Sequence, residues 1–206
     1  MRRAALSTIL CLLLAAPQLA CIGVQSNDAR SFQTFPPAAI AGETRFGIAV
    51  TAYVQPRGAA AASSLRGGTT GVVRNAYAHY LERTGRAKVN ETGPFRVQIV
   101  VEDRGAGPGA VFAGFLTVFT LYVVPSWASH DYRTTVSVVD AAGRLVGQTQ
   151  YRHRLTVVQQ LFLAAAMPFA GIQSSYDAMW NEVMRDAAAW TIEVLDAHAE
   201  TDPGQG

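Results

Sequence analysis

Several absences bound this 206-residue chain before any element is placed. No Gly-x-Ser-x-Gly elbow is present to raise a nucleophilic serine above a sheet. Gly67, Gly68 and Gly71 precede a helical pattern, but no Gly-Lys-Ser/Thr follows them, so no phosphate cradle is assigned. The four histidines, His79, His130, His153 and His198, are scattered. A zinc site needs three or four ligands, often clustered in sequence. The sequence therefore assigns no catalytic residue, no metal and no cofactor. Lys88 is the only lysine. The other cations are arginines, and that bias is read as compositional rather than as a set of phosphate ligands. No basic patch interleaved with aromatics is present, which leaves nucleic acid without a binding surface.

What is there begins at residue 1. Arg2 and Arg3 precede an apolar run, Ala4 to Ala16, which Pro17-Gln18 stops short of the roughly 20 residues a membrane span needs. A basic start, an apolar middle and a small-residue end form a secretory signal over 1–20. Leu19-Ala20-Cys21 has the form of a lipoprotein signal peptidase site, with Gln18 where an aliphatic residue is usual. Cys11 is lost with such a signal, and Cys21 is then an unpaired thiol in an oxidising compartment unless it is modified. Cys21 is the expected lipidation site, carrying palmitate-type acyl chains. Ile22, in place of an aspartate, points to the outer membrane. The signal holds two of the 17 basic residues and none of the 15 acidic ones, so the remainder is balanced in charge.

Residues 21–44 are polar and proline-containing, with no sustained period, and read as a lipidated cysteine followed by a flexible tether. A single domain is expected over 45–198 and a disordered tail over 199–206. Phe46, Ile48 and Val50 alternate as in a strand. A helix follows from Thr69 or Thr70 to about Thr84, with Val73, Ala76, Tyr77, Tyr80 and Leu81 as its apolar stripe. Residues 95–102, 132–140 and 144–154 are strands, the last two joined by a hairpin turn at Ala141-Ala142-Gly143. A long amphipathic helix closes the chain, its stripe running from Tyr176 through Trp180, Met184 and Thr191 to Leu195. The expected fold is α+β: a mostly antiparallel sheet in the order β-α-β-β-β-α, with both helices on one face.

Two apolar segments stand outside this scheme, 111–127 and 157–169, each ending near a proline (Pro125, Pro168). Phe115, Phe119, Tyr122, Trp127, Leu161 and Phe162 are their candidate contact residues, because large exposed apolar patches mark protein or membrane interfaces. The alternative is that the segments are core. Ser129-His130-Asp131 is the densest group of catalytic residue types and reads as a loop cluster. Tyr151-Arg152-His153-Arg154 reads as the solvated end of a strand.

The run Phe119 to Trp127, then Tyr132, Asp140 to Gly143, Tyr151, Met167-Pro168-Phe169 and an amphipathic terminal helix resembles a group of small uncharacterised bacterial envelope lipoproteins, over roughly 95–196. The resemblance implies a periplasm-facing sheet-and-helix domain and supplies no active-site residues. The expectation is a lipid-anchored, non-enzymatic envelope protein. It would meet the membrane or an envelope partner through 111–127 and 157–169. The alternative is a periplasmic lipid or small-molecule binding module.

Overall fold

The computed structural model describes residues 21–38, 40, 43, 45–56, 66–106, 115, 119, 126–159 and 172–201. The chain falls into two compact units where the sequence suggested one domain. Met1–Ser26, Gly105–Asp131 and Arg154–Met179 form the first; Asn27–Arg104, Tyr132–His153 and Trp180–Gly206 form the second.

The described elements are β1 (Cys21–Asn27), β2 (Phe46–Pro56), α1 (Arg66–Arg83), β3 (Ala87–Val89), β4 (Phe95–Ala106), β5 (Ser126–Val139), β6 (Leu145–Gln159) and α2 (Ile172–Thr201). Six strands form one sheet in the order β1-β6-β5-β4-β2-β3. The class is α+β, as the alternating and helical periods imply. The sheet is mixed, however, because β2 runs parallel to both β3 and β4. The reason is the position of α1, which carries the chain back so that β3 starts beside Phe46. β1 and β3 are additions to the expected order. β3 is only three residues long, too short for any period to reveal.

A close crossover sets this parallel arrangement. After β3 the chain passes across β2 and continues as β4, with Ile48 paired to Val89 on one side and Phe95 on the other. Gly93 lies against Gly47 so tightly that a Cβ on Gly93 would stand 2.4 Å from the Gly47 carbonyl. Only glycine admits that approach.

The second unit holds a dense core. Ile48, Val50, Val97, Ile99, Val136 and Val138 point inward from alternate positions of β2, β4 and β5. Val73, Tyr77 and Leu81 of α1 are fully buried, as are Val183, Met184, Ala187, Thr191 and Leu195 of α2. The Tyr77 hydroxyl lies 2.8 Å from Thr191 Oγ1 and joins the two helices. Burial pushes the Tyr77 phenol far above its ordinary pKa. α1 stops at Gly85, whose φ of 73° and N–H bond to the Glu82 carbonyl end the last turn. The β5–β6 turn is closed by Asp140, whose carboxylate accepts the Arg144 backbone N–H at 2.9 Å and its guanidinium at 2.6 Å. Those bonds hold the carboxyl below its usual range.

The segment expected as a tether is in contact with the helices. Residues 21–27 are strand β1. The Asn27 side-chain amide donates to Glu182 at 2.7 Å, and Arg30 donates to Asp186 from both its backbone N–H (2.7 Å) and its Nε (2.6 Å). Phe32 and Phe35 then pack edge to face, and Phe35 packs on Tyr80 of α1. Irregular chain held by single polar and aromatic contacts has no period, which is why it reads as spacer.

Candidate functional site

The first unit contains the expected acyl-accepting residue and the aromatics named from sequence. Cys21 is the first residue of β1. The Gly23 carbonyl accepts a bond from Ser175 Oγ at 2.7 Å, tying β1 to the start of α2. In sequence the two apolar segments overlap the start of β5 and the end of β6. Ser129 Oγ lies 2.9 Å from Thr156 Oγ1, and Asp131 pairs with Arg154, so β5 and β6 are in antiparallel register here. The strands are longer than their alternation suggested. Trp127 belongs to β5 and Val157 to β6, not to separate apolar segments.

Three of the six candidate contact side chains are placed, and all three face solvent. Phe115 is 75% exposed, Phe119 90% and Trp127 65%. Tyr122, Leu161 and Phe162 lie outside the described residues. Val24 in the same unit is also exposed. Burying a phenylalanine side chain is worth roughly 1.5–3 kcal/mol, so holding such side chains in water forgoes that gain.

The two polar clusters named from sequence are placed differently from their expected positions. Ser129, His130 and Asp131 sit in a strand rather than a loop, and alternation sends His130 to the face opposite its two neighbours. The Asp131 carboxylate is taken by the Arg154 guanidinium at 2.5 and 3.3 Å. Tyr151-Arg152-His153-Arg154 is likewise not a solvated end, because Tyr151 and His153 point into the core. The His153 ring stacks on Tyr132 at 5.6 Å and meets the edge of Trp180 at 4.9 Å. Its Nε2 lies 3.5 Å from Thr134 Oγ1. Burial drives its pKa down to about 4, so the imidazole is neutral at neutral pH. No carboxylate is among these contacts, and His153 is a packing residue. Among the described residues no group of three potential ligands could hold a metal ion, and no helix is long and apolar enough to cross a membrane.

A groove of about 460 Å3 in the second unit had no signal in the sequence. It is lined by Ala49 to Tyr53 of β2, Arg74 of α1, Val89 to Glu91, and Arg96 of β4. Among the described residues, none lining it comes from 111–127 or 157–169. Arg74 Nε donates to the Val50 carbonyl at 3.3 Å. β3 covers β2 only from Phe46 to Ile48, and the next stretch of that edge, Val50 to Ala52, borders the groove. Edge exposure is a property of register, and no residue type announces it.

No family model matches the chain, and no curated protein matches it. Among solved structures it is similar to a Xanthomonas campestris protein of the DUF330 family model, at 12% identity and TM-score 0.47, covering 82% of this chain and 96% of that one. It is similar to a neuraminyllactose-binding hemagglutinin homologue from Helicobacter pylori at 7% identity and TM-score 0.49, covering 83% and 100%. It is also similar to uncharacterized lipoprotein B from Nitrosomonas europaea at 17% identity and TM-score 0.38, covering 82% and 97%. Likenesses this distant assign no activity and no ligand.

Proposed function

We propose that this chain is a lipid-anchored protein of the bacterial cell envelope, held at the periplasmic side of the outer membrane through acylated Cys21, with a binding or assembly role and no catalytic one. It meets the bilayer or an envelope partner through segments 111–127 and 157–169. The observation that carries this reading is the exposure of Phe115, Phe119 and Trp127 in the same compact unit as Cys21. Tryptophan and other aromatics suit the interface between water and lipid. More than one acyl chain on Cys21 would make release from the membrane negligible, since each buried methylene contributes about 0.8 kcal/mol. β1 starts at Cys21, so the anchor is followed at once by folded chain rather than by spacer. That favours a unit resting on its membrane.

The test is photo-crosslinking in the native envelope from a crosslinking amino acid at Phe119, beside fractionation of Cys21→Ala. Lipid or a discrete protein adduct from Phe119, with Cys21→Ala in the soluble periplasm, is the expected result. Crosslinks confined to the chain itself would place Phe119 in the core and end the contact reading. Membrane retention of Cys21→Ala would end the anchor reading.

A further inference from the structure

Among the described residues, β3 covers one edge of β2 only in part. Phe46 N–H donates to the Arg86 carbonyl, and the Ile48 carbonyl accepts from Asn90 N–H. Backbone groups of even-numbered β2 residues therefore face the β3 side, because the polar groups of a strand alternate between its two edges. β3 pairs only as far as Ile48. Beyond it, Val50 and Ala52 turn their N–H and C=O groups toward the groove, and Val54 follows on the same edge. Among the described residues, Arg74 Nε donates to the Val50 carbonyl on that edge. On the other edge the same stretch pairs with β4 from Ile48↔Phe95 to Pro56↔Asp103. Among the described residues, the β4 side of this strand is paired throughout and the β3 side only as far as Ile48. Native sheets usually blunt or cover such edges, since they template pairing with another chain.

We infer that the β2 edge from Val50 to Val54 is a docking site for an extended acidic segment of a partner protein, which adds to the sheet as a further strand. The occupant follows from charge. Arg74 reaches the edge from α1, and Arg96 lies on β4 level with Ala49. Among the described residues, Glu91 is the single acidic side chain lining the groove. Backbone bonds to Val50, Ala52 and Val54 supply affinity that is blind to sequence. Carboxylates meeting Arg74 and Arg96 supply selection for acidic residues. A second copy of this chain is a poorer occupant. Pairing β2 with β2 would bring another Arg74 and Arg96 to the groove and add to its positive charge. This site is independent of the apolar contact residues and of the anchor.

The experiment uses the full chain in detergent micelles with two fluorescent probes. One is a short peptide of alternating valine and glutamate; the other is its valine–lysine counterpart. The acidic peptide should bind at least about tenfold more tightly, as charge-assisted hydrogen bonds in a groove imply. Hydrogen exchange resolved to single amides should slow at Val50, Ala52 and Val54 on binding and stay unchanged at Thr51 and Tyr53, which face β4. Arg74→Glu and Arg96→Glu, measured separately, should each remove most of the preference without moving the melting temperature. Equal affinity for the two peptides would overturn the proposal, as would binding that leaves the even-numbered amides unchanged. So would protection of Ala52 and Val54 in the free chain. Protection that persists on dilution would mean the chain covers its own edge, and protection lost on dilution would mean a second copy does.

Discussion

The two units use aromatic side chains in opposite ways. In the second, Tyr132, His153 and Trp180 close on one another at 4.9 to 5.7 Å, and Trp180 is almost wholly buried. In the first, Phe115, Phe119 and Trp127 stand in water. Both regions use large aromatic rings, so composition alone does not say which ring is buried and which is exposed. The contrast lies in what each ring meets. His153 and Trp180 come from adjacent layers, a strand and a helix, whose faces must cover each other. Phe115 and Phe119 are helical residues between β4 and β5 whose rings face solvent.

The contrast breaks most visibly if a core aromatic is removed. Trp180→Ala should cost about 3–5 kcal/mol in chemical denaturation, the range for a large buried ring replaced by a cavity. Next is Gly93→Ala, which puts a methyl group into the Gly47 backbone and should cost about 3 kcal/mol, at the upper end of overpacking. A smaller loss would mean the crossover can move aside.

His153 sharpens the comparison through pH. Its folded pKa of about 4 lies below the ordinary 6.5, so between those values the unfolded chain binds more protons than the folded one. Its neutral burial is therefore uncompromised above about pH 6.5, and stability declines as pH falls toward 4, by up to about 3 kcal/mol at 1.36 kcal/mol per pH unit. Denaturation across that window should show the slope, and His153→Phe should flatten it. A slope unchanged by His153→Phe would put the responsible proton elsewhere.

Arg30→Ala leaves the buried Asp186 carboxylate without its guanidinium and should cost about 2 kcal/mol, within the range for hydrogen bonds to charged groups. A neutral result would show that the 28–37 segment contributes no stability and behaves as the free tether its composition suggests. The smallest effect belongs to the first unit. Phe119→Asp should change the melt by less than about 0.5 kcal/mol, as surface substitutions do, while abolishing the crosslink from that region. Loss of a cooperative melt in Phe119→Asp would erase the distinction between the two units.

Much of the second unit was legible because its elements are long and half-buried. Ile48, Val97, Ile99 and Val101 announce strands by alternation, and Trp180, Met184 and Leu195 announce a helix by its period; all are buried. Ser129-His130-Asp131 reads as a loop because its consecutive polar residues mask the strand they belong to, in which neighbours point to opposite faces. His153 was read as exposed for a related reason: Arg152 and Arg154 flank it, yet alternation turns its ring inward while they face solvent.

By itself the sequence determined the α+β class, the order of the long elements and the faces they bury, because period and hydrophobicity are local and burial of one face follows from them. It also carried the secretory and lipobox-type pattern ending at Cys21, which is a matter of consecutive residues. Tertiary structure alone decided that β2 runs parallel to its neighbours, that Arg30 pairs with Asp186 across 156 residues, and that one edge of β2 borders a groove. Each of these depends on which distant segments meet and in what register, and backbone groups pair with the same chemistry whatever side chains they carry.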